Sequence, residues 1–187
     1  MSLRVSFELR NSDLNHFRKI MREARDVAAE HSPDEVLQSA HGLLASVKNV
    51  ELPDFVRGRL EKIGVLIGML EDSEWQLPEE ESGRVLNALA YFSEPEDLIP
   101  DHVPGLGFLD DAIMVELVCR EFSIEIQAYQ RFCRVRDAQG SGHTMDKGAR
   151  EKWLADQRQA LHDWIRKRRK QHSRSGGSGG RSPFSLF

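Results

Sequence analysis

Cysteine is scarce in this sequence: Cys119 and Cys133 are the only two among 187 residues. The pattern around them predicts one helix carrying both, fourteen positions apart. At ~1.5 Å of rise per residue, that places them about 21 Å apart, too far for a disulfide. They are therefore read as reduced, small apolar fillers, which sets the expectation of a cytoplasmic protein. Long apolar runs are missing as well. Ile63–Leu70 and Ala112–Cys119 come nearest, at about half of the ~18 residues a membrane span needs. Met1–Arg10 is mixed in character and has no apolar h-region, so no targeting signal is expected there.

Several chemistries lack their residues. The seven histidines are scattered, with no HxxxH pair and no Cys-His cluster, which argues against a zinc site. There is no G-x-S-x-G, and neither cysteine has a histidine close in sequence. Gly105-Leu106-Gly107 has neither the third glycine nor the preceding strand of a dinucleotide fingerprint. The GGSGG of the C-terminal tail is not followed by the Lys-Ser/Thr of a phosphate loop. No cofactor is predicted, and the balance leans away from an enzyme.

Charge is present but unevenly placed. After Asp163 no acidic residue occurs, while Arg166, Lys167, Arg168, Arg169, Lys170, Arg174 and Arg181 supply +7. Subtracting that from the net charge of -4 leaves -11 on the preceding residues, so an acidic body carries a basic end. The asymmetry suits a polyanionic partner or attraction between the two parts.

Apolar spacing predicts helices along most of the chain. Val5, Phe7 and Leu9 alternate as a short strand or an extended lead-in, and Ser12 is placed to cap a first helix ending near His31. Ser32-Pro33-Asp34-Glu35 is a capping box with proline at the first helical position, opening a second helix. A third starts after Leu52-Pro53 and holds Gly58, Gly64 and Gly68. Each of these costs roughly 1 kcal/mol against alanine, a loss that close helix packing would offset. Leu77-Pro78 restarts the pattern for a fourth helix that includes Tyr91 and Phe92. Pro95, Pro100 and Pro104 then exclude a long helix. From about Leu109 to Arg136 a fifth helix is expected, apolar on nearly every side at first and so surrounded by others. Asp137–His143 reads as a linker. Thr144 is the expected cap of a sixth helix striped by Trp153, Leu154, Leu161, Trp164 and Ile165. That stripe suits packing on the protein's own domain. The closing segment is flexible by composition and ends in an apolar Phe184–Phe187 tip.

The candidate chemistry lies in the turn before the buried helix. Asp97, Asp101, Asp110 and Asp111 fall within fifteen positions, with His102 and Glu116 nearby. Hard cations such as Mg²⁺, Mn²⁺ or Ca²⁺ take carboxylate oxygens, and crowded carboxylates can also form a general acid or base. The structural reading is the stronger one. Asp97 and Asp101 suit turn and cap positions, and Asp110 and Asp111 suit the first turn of a helix, where they meet free N–H groups and the helix dipole. Arg166, Lys167, Arg168, Arg169 and Lys170 are candidates for polyanion binding, either nucleic-acid phosphate or an anionic membrane surface.

The run Ala90-Tyr91-Phe92, Pro95-x-Asp97-Leu98-Ile99-Pro100-Asp101 and Pro104-Gly105-Leu106-Gly107-Phe108-Leu109-Asp110-Asp111-Ala112 resembles the YkvA-like domain of unknown function, a family widespread in bacteria. The likeness is firmest over about Leu86–Val118, and a longer variant of the family shares the earlier helices and the Tyr129–Arg136 end. It implies a compact helical domain, which in some relatives lies beside membrane segments, and it implies no reaction or catalytic residue. Glu94, Glu96 and His102 stand where more apolar residues often occur, which favours a soluble form.

The reading is thus an all-α protein, a compact bundle around a buried central helix, with a basic C-terminal helix and a disordered tail. Its expected divisions are a helical domain over residues 1–136, a linker and basic amphipathic helix over 137–171, and a flexible tail over 172–187. The expected function is a non-enzymatic interaction module with a protein partner, set against a cation-dependent enzyme at the four aspartates and polyanion association at the basic segment.

Overall fold

The structure, a computed structural model, describes residues 8–28, 31–93, 99, 103, 106–140 and 146–175. Seven α-helices form among them: α1 (Asn11–Ala28), α2 (Pro33–Val47), α3 (Asp54–Glu71), α4 (Glu79–Leu89), α5 (Leu109–Glu121), α6 (Ser123–Gly140) and α7 (Lys147–Ser175). No strand occurs among the described residues, and the all-α expectation holds. No helix among them is long and apolar enough to cross a membrane.

Local signals fix several starts. The Ser32 hydroxyl accepts from the Glu35 N–H while the Glu35 carboxylate accepts from the Ser32 N–H at 2.6 Å, closing the capping box that opens α2. The first helix begins at Asn11, two residues earlier than a cap at Ser12 would give. Arg10 is its cap residue, and its N–H donates to Asp13 Oδ2 at 2.8 Å. At α7, Asp146 does the capping, accepting from the Ala149 N–H at 2.9 Å. Thr144 lies outside the described residues, as do Val5, Phe7 and the Phe184–Phe187 tip.

The core collects around α5, whose Ala112, Met114, Val115, Leu117 and Val118 are all buried. It packs most closely on α3, which contributes Val56, Leu60, Ile63, Leu66 and Ile67. Of the three α3 glycines, Gly68 needs its missing side chain most: a Cβ there would stand 3.0 Å from the Tyr129 hydroxyl. At Gly64 the nearest atom would be 3.7 Å away, and at Gly58 nothing lies within 4 Å, so close packing accounts for only part of the glycine content.

Three boundaries differ from expectation. Tyr91 and Phe92 fall in a 3₁₀ turn, Ala90–Ser93, that follows α4. The linker expected from Asp137 begins later, because α6 continues to Gly140. Most consequentially, the expected long helix from Leu109 breaks at Phe122, where the backbone leaves helical values (φ -95°, ψ 21°). Phe122 ends one helix and opens the next. Its N–H bonds the Val118 carbonyl at 3.0 Å, and its own carbonyl accepts from Ile126 at 2.9 Å. Complete burial of the Phe122 ring, with the Arg84 guanidinium 5.0 Å from its centroid, compensates the lost regularity. Cys119 and Cys133 therefore sit on separate helices, both with free thiols. Burial pushes the Cys119 thiol up to about 11, consistent with an inert filler.

After the break, α6 and α7 pack against each other. Leu154, Leu161 and Ile165 of α7 join the common core, so the tryptophan-leucine stripe is spent on the protein's own interior.

Candidate functional site

The four aspartates divide. Asp97 and Asp101 lie outside the described residues, as do Glu94, Glu96 and His102. Asp110 is 1% exposed in the first turn of α5, and its Oδ2 accepts from the Ile99 backbone N–H at 3.0 Å. The carboxylate thereby ties the proline-rich turn to the start of the central helix. Its Oδ1 is buried without a hydrogen-bond partner. Asp111 is also buried, and it is engaged by its surroundings. Phe108, just before them, holds a left-handed conformation (φ 64°) with its ring buried, so packing sustains a backbone geometry that a bulky residue rarely adopts. Among the described residues, no three His, Cys, Asp or Glu side chains converge as metal ligands would.

The remaining buried and half-buried carboxylates are built into ion pairs. Glu116 meets Arg59 at 2.7 Å, Arg120 at 2.9 Å and Lys62 at 3.1 Å. Desolvation pushes its carboxyl up, but these three cations outweigh it and hold it below the usual range. Asp72, at the end of α3, accepts from Arg136 at 2.6 Å, Tyr129 at 3.3 Å and the N–H groups of Glu74 and Trp75. Here too burial is overcome, and the carboxyl is held low. Glu74 continues the network to Arg150 of α7 at 2.6 Å.

A third network crosses the α4, α5, α6 and α7 junction. Glu125 is 1% exposed, with Arg169 Nε at 2.8 Å and Arg84 Nη1 at 3.7 Å. Arg169 also reaches Glu81 at 3.4 Å, and Arg84 reaches Glu121 at 3.1 Å. Burial, together with Glu121 and Glu81 nearby, pushes the Glu125 carboxyl above its ordinary value while Arg84 pulls against it.

These contacts divide the basic cluster of α7. Arg166, Lys167, Arg168, Arg169 and Lys170 do not form one outward-facing patch. Arg169 turns inward to the buried glutamates, because carboxylates without water need a cation at hydrogen-bond distance. Arg166 is tied to Asp163 of its own helix, Lys167 is exposed beside them, and Lys170 is engaged. Arg168 lies over the Trp164 ring, 5.5 Å from its centroid, with no carboxylate partner among the described residues.

Sequence reasoning missed a groove beside Trp164. A groove of about 340 Å³ runs between α6 and α7, lined by Gln127, Ala128, Gln130, Arg131, Arg134, Leu161 and Trp164. Arg131 and Arg134 are exposed and have no carboxylate partner among the described residues. Gln127, Gln130, Arg131 and Arg134 recur at helical spacing beside the buried Ala128, and that polar stripe was the available signal.

Residues 84–117 match the family model described as protein of unknown function, DUF1232, which covers α4 from Arg84, the proline-rich turn and most of α5. The resemblance to the YkvA-like family is borne out over that segment. No match was found among the curated proteins or the solved structures.

Proposed function

We propose that the protein is a non-enzymatic interaction module whose partner is anionic and docks on the α6–α7 face. One observation carries this reading. Arg131 and Arg134 line the α6–α7 groove, exposed and with no carboxylate partner among the described residues, and Arg168 lies over Trp164, which lines the same groove. In a chain of net charge -4, two neighbouring guanidinium groups without a matching acid give this groove a local positive charge that suits an anion. The fate of Asp110 supports the non-enzymatic part, since its carboxylate is spent inside the fold on the Ile99 N–H.

The first test uses a labelled heparin oligosaccharide as a generic polyanion, followed by fluorescence anisotropy with the full chain. Binding should weaken steeply as salt rises from about 0.05 to 0.2 M, because released counterions drive it. No binding at the lowest salt, or an affinity that ignores salt, would remove the anionic partner from the account.

A further inference from the structure

We propose that the α6–α7 groove is a nucleotide-phosphate site, taking either a free nucleotide or one unit of a single-stranded nucleic acid. The inference rests on the anionic-partner reading and names the partner's chemistry. Size is the first constraint: a groove of about 340 Å³ lies at the small end of ligand sites, suited to one nucleotide unit and too small to seat a helix.

The lining supplies the rest. Arg131 and Arg134 stand about one turn apart on α6, exposed and with no carboxylate partner among the described residues, so two planar guanidinium forks are placed to hold one phosphate. Trp164 of α7 lines the same groove and offers an aromatic surface for a base, with the Arg168 guanidinium 5.5 Å from its ring centroid. Gln127 and Gln130 flank the same groove. Amide side chains present a donor beside an acceptor, a pattern that a nucleobase edge matches and a simple acidic peptide does not. Phosphate, ring and base edge each find a complement within one groove.

The test titrates the full chain with a short labelled oligouridylate, with adenosine monophosphate as competitor and an oligoglutamate peptide as the control anion. The oligonucleotide should bind and quench indole fluorescence, with the quench lost in Trp164→Phe. The exposed pair Arg131→Glu/Arg134→Glu should weaken binding by roughly tenfold or more and lower the salt slope by about 0.7, the value for one lost phosphate contact. Competition by the monophosphate identifies a free-nucleotide site, and binding of the oligonucleotide alone identifies single-strand recognition. Oligoglutamate binding as tightly as the oligonucleotide, or an unchanged affinity in the double variant, overturns the proposal. If heparin still binds in a salt-dependent way while both nucleotides fail, the nucleotide site falls and the anionic-partner reading stands. If all three fail, both fall.

Discussion

Replacing Arg169 with methionine is expected to cost about 3 kcal/mol of stability at neutral pH, the lower end of the range for breaking a buried ion pair. Glu125, at 1% exposure, would keep only Arg84 at 3.7 Å, and Glu81 would lose its contact as well. Methionine retains the aliphatic bulk, so the loss isolates the charge. Adding Glu125→Gln should recover a good part of it by removing the stranded carboxylate. The pH dependence has a defined sign. The folded-state pKa of Glu125 is raised, so the folded protein holds the proton more tightly than the unfolded chain does. Stability from this group is therefore fully present below the unfolded value, about 4.3, and is lost as pH rises through the folded value. Arg169→Met should enlarge that loss, and chemical denaturation at several pH values would show it. A variant within about 0.5 kcal/mol of the parent, as for an ordinary surface change, would mean that the network carries no net stabilisation.

Truncation of Trp75 to alanine should cost about 3–5 kcal/mol, the usual penalty for emptying a large aromatic site. Its fully buried ring lies 5.2 Å from Phe132, 5.7 Å from Tyr129 and 4.6 Å from His162, joining the α3–α4 connection to α6 and α7. Burial, with Arg158 and Arg166 nearby, pushes His162 down to about 4, so the native packing requires a neutral imidazole. Stability from that ring is fully present above the unfolded value near 6.5 and is lost as pH falls toward about 4. Opening the site in Trp75→Ala should let water reach His162 and raise its pKa, which an NMR titration of the imidazole would read. An unshifted His162 together with a stability loss under about 1 kcal/mol would show that the tryptophan does not organise this junction.

What the sequence disclosed depended on the range of the interaction. The α2 capping box was legible because its four residues are neighbours. The buried character of α5 was legible because apolar residues all round a helix leave no face for water. The break at Phe122 was hidden: Val118, Phe122 and Ile126 keep helical spacing, and no proline or glycine marks the spot. The inward turn of Arg169 was hidden for a different reason. Five consecutive basic residues look alike, and what separates one from the rest is Glu125, forty-four positions earlier. The groove needed both helices in place, since each contributes only a stripe that reads as a solvated surface on its own.

The carboxylate-rich turn remains the centre of the account, as a device that joins the chain to its core helix. One measurement tests this directly: the melting temperature of the full chain and of Asp110→Asn, each titrated with Mg²⁺, Mn²⁺ and Ca²⁺. Asparagine can still accept from the Ile99 N–H but removes the negative charge a cation would need. The structural account predicts that neither protein's melting temperature rises with any of the three ions. A saturable rise in the parent that disappears in Asp110→Asn would show bound cation and would contradict it.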